Sequence, residues 1–409
     1  IDLGSTHLAA ALRQEQRAIP MTFQGATRLP AQALLRGSEL YIGQEAEARA
    51  GSGTLVVFQR AAFAVPAQDV AVRHQWRSGD AAALVLQALR ERSSRELGAT
   101  VQRCVLACPA SYDAFQRREL RRRAEAAGWQ VERVVPEPIA ALVAAGYPQG
   151  RHQVLSVCDL GGDSFQISVV TATPQRLRVV AAQSTASGGE AFLTLLVQQV
   201  LLEARRQSVA LAGDRDQLLE QARFEVAQAT RTLAGGSTAT IRLSGVGDRD
   251  FQFPLTPPTL QELARPLLEQ LQQAAAQALA QSGFAYKDLD QVLVCGGAQA
   301  PVLLQALEQA FGQRPRPITV TEPVAVGAAL LADGVAKTGW RGWQELPASR
   351  GLASAARRSL LLGVGLLLAC LGLLLYLSWP GSAQGPLSWG HSQLEWAREQ
   401  LEQLFGEGR

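Results

Sequence analysis

Two short segments of the 409-residue chain repeat one plan of chemistry-bearing residues. Ile1 to Leu12 reads IDLGSTHLAAAL and Val157 to Val170 reads VCDLGGDSFQISVV: apolar strand, Asp-Leu-Gly, hydroxyl residue, second strand. Glycine lets such a turn close tightly, and the bare backbone N–H groups at Gly4, Gly161 and Gly162 can approach phosphate oxygens. Ser5, Thr6 and Ser164 add hydroxyl donors, and Asp2 and Asp159 at the strand ends can hold a hydrated Mg²⁺. One such turn is an ordinary hairpin. Two, with their aspartates 157 positions apart, predict duplicated lobes facing each other, each turn serving one side of a cleft.

A third glycine element follows the apolar strand Gln291 to Cys295, where Gly296-Gly297 precede a helix from Pro301 to about Phe311. A flat ring or a phosphate can lie against such a junction, although glycine pairs also open helices that bind nothing. Gly188-Gly189-Glu190 stands at the mouth of a helix running through Leu201, and Glu137-Pro138 opens an apolar helix from Ile139 to Ala145. Both place a carboxylate at a helix start, where it also complements the macrodipole.

The elements that position these residues need two or three globular units, which the length supplies. A net charge of +3 with both signs interspersed argues against nucleic acid as a partner. The run Arg117, Arg118, Arg121, Arg122 and Arg123 is interrupted by Glu119 and Glu125, which predicts a solvated helix face. Cys104, Cys108, Cys158, Cys295 and Cys370 sit in apolar runs without CxxC spacing, as expected of buried thiols in a reducing compartment. The four histidines are scattered without ligand spacing.

From Ser359 to Trp379 the chain is uncharged and long enough to cross about 30 Å of hydrocarbon. Arg341, Arg350, Arg357 and Arg358 precede that span, whereas Arg398 and Arg409 follow it. The large N-terminal part is therefore expected to be cytoplasmic, with a short tail on the opposite side. Leu394, Ala397, Leu401 and Leu404 predict a short amphipathic helix in that tail. The chain opens on Ile1 without a methionine, so leading residues of the first strand are expected upstream.

In this order the elements resemble the nucleotide-binding domain of the DnaK-type, seventy-kilodalton heat-shock chaperones, within the actin-like ATPase superfamily. The resemblance covers about Ile1 to Asp333 and includes Cys108 to Tyr147 (CPASYDAFQRRELRRRAEAAGWQVERVVPEPIAALVAAGY) and the closing segment TEPVAVGAALLAD. It implies an α/β fold of two lobes around a nucleotide cleft, lobe I about 1–153 and lobe II about 154–320. A closing helix to 333 completes a domain of residues 1–336, followed by a linker (337–357), a transmembrane helix (358–379) and a tail (380–409). It also implies ATP or ADP with Mg²⁺ as ligands. Asp2 and Asp159 would lie near the metal through water, Gly4, Ser5, Thr6, Gly161, Gly162 and Ser164 near the phosphates, and Glu137 near the attacking water. Gly188, Gly189 and Glu190 match the second-lobe loop, Arg231 with Gly296 and Gly297 the ribose and adenine site, and Pro109 with Arg117 the relay of nucleotide state.

Departures from the family gather in the same cleft. The segment Thr54 to Phe63 places Gln59 where the family has a lysine that supports hydrolysis, with Arg60 beside it. Lys287 and Lys337 are the only lysines, so no position in the first lobe supplies that ammonium. Asp163 replaces a glycine of the second turn, Gln166 a metal-side carboxylate, and Ala234 and Ala298 two hydroxyls. Ala227 and Thr230 replace a glutamate and a lysine, and Thr321 an aspartate. After the lobes a Gly/Ser/Trp/Arg stretch stands where the family continues into a peptide-binding β-sandwich. The expectation is a membrane-anchored, DnaK-like ATP-binding protein with slow or lost hydrolysis and an unknown protein partner or client. A pseudo-ATPase interaction scaffold and a tethered actin-like filament protein are the alternatives.

Overall fold

Each glycine turn is the tip of an antiparallel hairpin. The first joins Asp2–Leu3 to His7–Ala9, in register Asp2↔Ala9 and Leu3↔Leu8. The second joins Gln153–Leu160 to Phe165–Thr173, with Leu160 opposite Phe165. In this computed structural model the described residues are 1–15, 17–37, 39–49, 54–57, 78–207, 215–234, 238–243, 250–297, 300–332 and 343–344.

The duplication expected from the spacing is present in the strand order. On its far side the second hairpin runs parallel to Gln291–Gly296, pairing Cys158 with Val294 and Asp159 with Cys295. The first hairpin has the equivalent neighbour: the Ile1 amine donates to Val105 O at 2.8 Å and Ala107 N–H returns a bond to Ile1 O at 2.8 Å, the pattern of a parallel strand. That neighbour, Arg103–Cys108, continues the sheet through its parallel partner Gln130–Pro136. In each lobe the Asp-bearing strand thus has neighbours on both sides, and that of lobe II, buried on both faces, is correspondingly a largely apolar run.

Among the described residues the lobe II sheet has six strands, and it sorts its residues between two cores. Leu155 and Val157 face a core shared with the helices Glu137–Ala144 and Pro323–Leu330. Cys158 and Leu160 face the core under the long helix Pro257–Ser282 and the helix Pro301–Phe311. The shared core also takes Val105, Ala107 and Val135 from lobe I, so the two crossing helices join the lobes through one apolar interior. A separate core lies between the helices Gly189–Arg206 and Arg215–Ala234 and the hairpin of Ala239–Leu243 with Phe251–Leu255.

Two expectations are corrected. Arg123 is 2% exposed and pairs with Glu119 at 3.6 Å, and Arg121 donates to Val131 O at 2.6 Å. The arginine run is therefore partly turned inward, because Arg123 falls on the helix face that also buries Leu120 and Ala124. The stretch read as linker also contributes structure: Trp343–Gln344 adds a parallel edge strand beside Leu177 and Arg178. An unpaired sheet edge offers backbone donors and acceptors that any nearby extended segment can satisfy.

The chain divides into Ile1–Leu346 and Pro347–Arg409. The apolar span Ser359 to Trp379 and the segment expected to form the tail helix fall in the second unit and lie outside the described residues. Among the described residues no helix is long and apolar enough to cross a membrane.

Candidate functional site

The two turns converge from opposite lobes. Asp163 N–H, in the second turn, donates to the Ser5 hydroxyl of the first at 3.2 Å. Gly162 abuts Thr6 so closely that a Cβ on it would stand 2.1 Å from Thr6 Cγ2, so only glycine allows this approach. Gly161 closes the second turn by donating to Ser164 O at 2.9 Å.

Behind the turns lie the carboxylates. Asp2 and Asp159 lie half-buried in their strands, each one residue before the strand's end, and Glu137 begins its helix at 3% exposure. The charges of Asp159, Glu137 and Asp2 all bear on the buried Cys295 thiol, which burial, in the first place, holds well above its ordinary pKa. Gln166, opposite Asp159 across the hairpin, donates its amide to Glu137 Oε2 at 2.9 Å. Gly296, at φ +59°, presses on Asp159: a Cβ there would meet Asp159 Oδ1 at 2.3 Å.

The second-lobe loop Gly188-Gly189-Glu190 packs directly on the second turn. Gly189 and Glu190 N–H, the first donors of their helix, go to Gly161 O and Gly162 O at 2.9 and 2.8 Å. With no side-chain cap at Gly188, the second turn itself caps this helix. The Glu190 carboxylate meets Arg223 at 2.6 Å. Arg231 and Gly297 lie further out, lining a cavity of about 590 Å³ whose walls include Phe192, Leu196, Leu260 and Leu303. That volume suits a nucleoside.

Pro109 and Arg117 are physically linked, through a residue the sequence did not single out. Tyr112 N–H donates to Pro109 O at 3.1 Å and Arg117 Nε donates to Tyr112 O at 3.0 Å. A second contact had no sequence signal at all: Glu322 accepts from Arg28 Nε at 2.7 Å and from Thr27 at 3.1 Å, nearly the whole domain away in sequence. Gln59 and Arg60 lie outside the described residues.

The site can be tested for fit to the ligands expected of it. Among the described residues no three His, Cys, Asp or Glu side chains gather as a cage for a metal ion. Asp2 and Asp159 suit a Mg²⁺ held largely by water and phosphate oxygens, since that ion keeps most of its hydration. The cavity beside Gly297 suits the nucleoside.

Duplicated α/β lobes, paired glycine turns and two helices crossing beneath them define a nucleotide-binding domain of the Hsp70 and actin-like ATPase type. The model of the Hsp70 protein family matches residues 57–339. The chain is also 33% identical over 361 residues to the chaperone protein HscA homolog of Bordetella pertussis (strain Tohama I), an alignment covering 81% of this chain. The chain belongs to the Hsp70 family. It spans 57% of the length of that relative.

Proposed function

We propose that this chain is a membrane-anchored, Hsp70-like protein that binds an adenine nucleotide with Mg²⁺, hydrolyses ATP slowly or not at all, and uses lobe closure to engage a protein partner. The observation that carries this reading is the meeting of the two glycine turns at Ser5 and Asp163, with the cavity beside them. In this arrangement Asp2 and Asp159 orient a hydrated metal, Gly4, Ser5, Thr6, Gly161, Gly162 and Ser164 hold phosphate, and Glu137 orients water. Mg²⁺, when bound, neutralises phosphate charge. Slow turnover follows from Gln59 in place of a lysine and from the amide of Gln166 occupying Glu137. The apolar span Ser359 to Trp379 supplies the anchor and the arginines before it set the lobes on the cytoplasmic side.

The test is thermal melting of the full chain in detergent against a titration of Mg·ADP and Mg·ATP. A saturable rise in Tm is expected. No rise with either nucleotide rejects nucleotide binding and leaves the scaffold reading, which the replacements Gln59 and Asp163 favour. Protease protection of the tail in sealed vesicles tests the topology.

A further inference from the structure

The two turns are bonded to each other, and that bonding bears on how many phosphates the cleft accepts. A phosphoryl group reaching between the lobes would use the Asp163 N–H, the Ser5 hydroxyl and the space between Thr6 and Gly162. The Asp163 N–H is spent on the Ser5 oxygen at 3.2 Å, and the third is closed by the contact of Gly162 with Thr6. The first donors of the Gly189–Arg206 helix, which could otherwise serve an anion, are committed to Gly161 O and Gly162 O.

Charge points the same way. The residue whose N–H closes the turns is an aspartate, and a carboxylate beside a phosphoryl group adds like-charge repulsion. No lysine precedes Lys287 to offset it. A triphosphate brings one more negative charge than a diphosphate to this point. Arg28, in the strand Arg28–Pro30 beside the first hairpin, pairs with Glu322, and Arg223 pairs with Glu190. The nucleoside end is not closed in this way: the cavity is lined by both Gly189 and Gly297.

We propose that this cleft takes a nucleoside diphosphate in preference to a triphosphate, with Asp163 as the residue that sets the preference. The proposal rests on the nucleotide reading above and adds to it the number of phosphates.

The experiment is calorimetric titration of the full chain in detergent with Mg·ADP and with a non-hydrolysable Mg·ATP analogue, for the parent protein and for Asp163→Gly and Asp163→Asn. ADP is expected to bind roughly 10-fold more tightly than the analogue in the parent. Asp163→Gly is expected to bring the two within about 3-fold by improving the triphosphate, with ADP changed less than about 2-fold. Asp163→Asn removes the charge and keeps the bulk, and is expected to recover part of that gain. Equal or tighter binding of the triphosphate by the parent overturns the proposal while leaving nucleotide binding intact. An unchanged gap in Asp163→Gly overturns the assignment to Asp163. Binding of neither nucleotide overturns both this proposal and the reading beneath it.

Discussion

Gln166 of the second lobe donates its side-chain amide to the Glu137 carboxylate of the first at 2.9 Å, with the two residues 7% and 3% exposed. The bond crosses the floor of the cleft and joins the residue expected to orient water to a strand of the opposite lobe. A buried acceptor that loses such a donor retains its desolvation cost. Gln166→Leu should therefore lower stability by roughly 1–3 kcal/mol, read as a fall in urea midpoint at unchanged m-value. Gln166→Glu should be worse at neutral pH and recover on acidification, as one proton comes to be shared between two facing carboxylates. Stability equal to the parent's in both variants across pH 5 to 8 would show that the bond contributes nothing.

Helix crossing gives a steric prediction. Gly327 lies against Ala140, where a Cβ would stand 1.7 Å from the Ala140 carbonyl oxygen. Backbone cannot yield there without parting the two helices that share the interlobe core. Gly327→Ala is expected to cost about 3 kcal/mol or more. Circular dichroism melting and soluble yield check it; a Tm within a few degrees of the parent contradicts the crossing.

The clasp at Glu322 can be separated into charge and backbone. Glu322 is 8% exposed and adopts φ +48° as the residue before the Pro323–Leu330 helix. Its partner Arg28 is 52% exposed, so solvent screens much of the pair. Arg28→Ala should cost no more than about 1 kcal/mol. Glu322→Ala should cost more than Arg28→Ala, because it removes both bonds that the buried carboxylate accepts. The order of the two urea midpoints is the measurement.

His7 gives a pH dependence. Loss of solvent around the ring, and then the Arg28 guanidinium, hold its pKa below the ordinary imidazole value of 6.5. The folded state therefore binds this proton less readily than the unfolded chain, so stability from this site is present above pH 6.5 and is lost as pH falls below it. His7→Gln should flatten that part of the stability profile between pH 7 and pH 5. An unchanged slope would assign the dependence elsewhere.

The thiols report on folding. Burial pushes Cys104 and Cys158 up to about 12, and Cys108 and Cys295 are buried beside them in the two sheets. The thiolate is the reactive form. In a Cys370→Ser background, labelling at pH 8 with a thiol-specific disulfide reagent should be negligible until denaturant unfolds the domain. Rapid labelling of the native protein would contradict the packing of these strands.

Local elements were legible in the sequence because their causes are local. The Asp-Leu-Gly turns, the strand Gln291–Gly296 and the helix Pro301–Phe311 follow from glycine, proline and apolar runs that act within a few residues. The buried thiols Cys104, Cys108, Cys158 and Cys295 and the repeat of the Asp-Leu-Gly hairpins follow in the same way from composition and spacing, while Cys370 lies outside the described residues. The inward turn of Arg123 was not legible, because a helix face is polar or buried according to what packs on it.

What the sequence by itself determined is the set of parts: two phosphate-type turns, carboxylates at their strands and at one helix start, and a first lobe without lysine. Only the tertiary structure decided how those parts are spent. Ser5 and Asp163 stand 158 positions apart, Gln166 and Glu137 belong to different lobes, and Glu322 reaches back to Arg28. Hydrogen bonds of that kind depend on distances fixed by the shared core of the crossing helices, and no pattern of neighbouring residues encodes them.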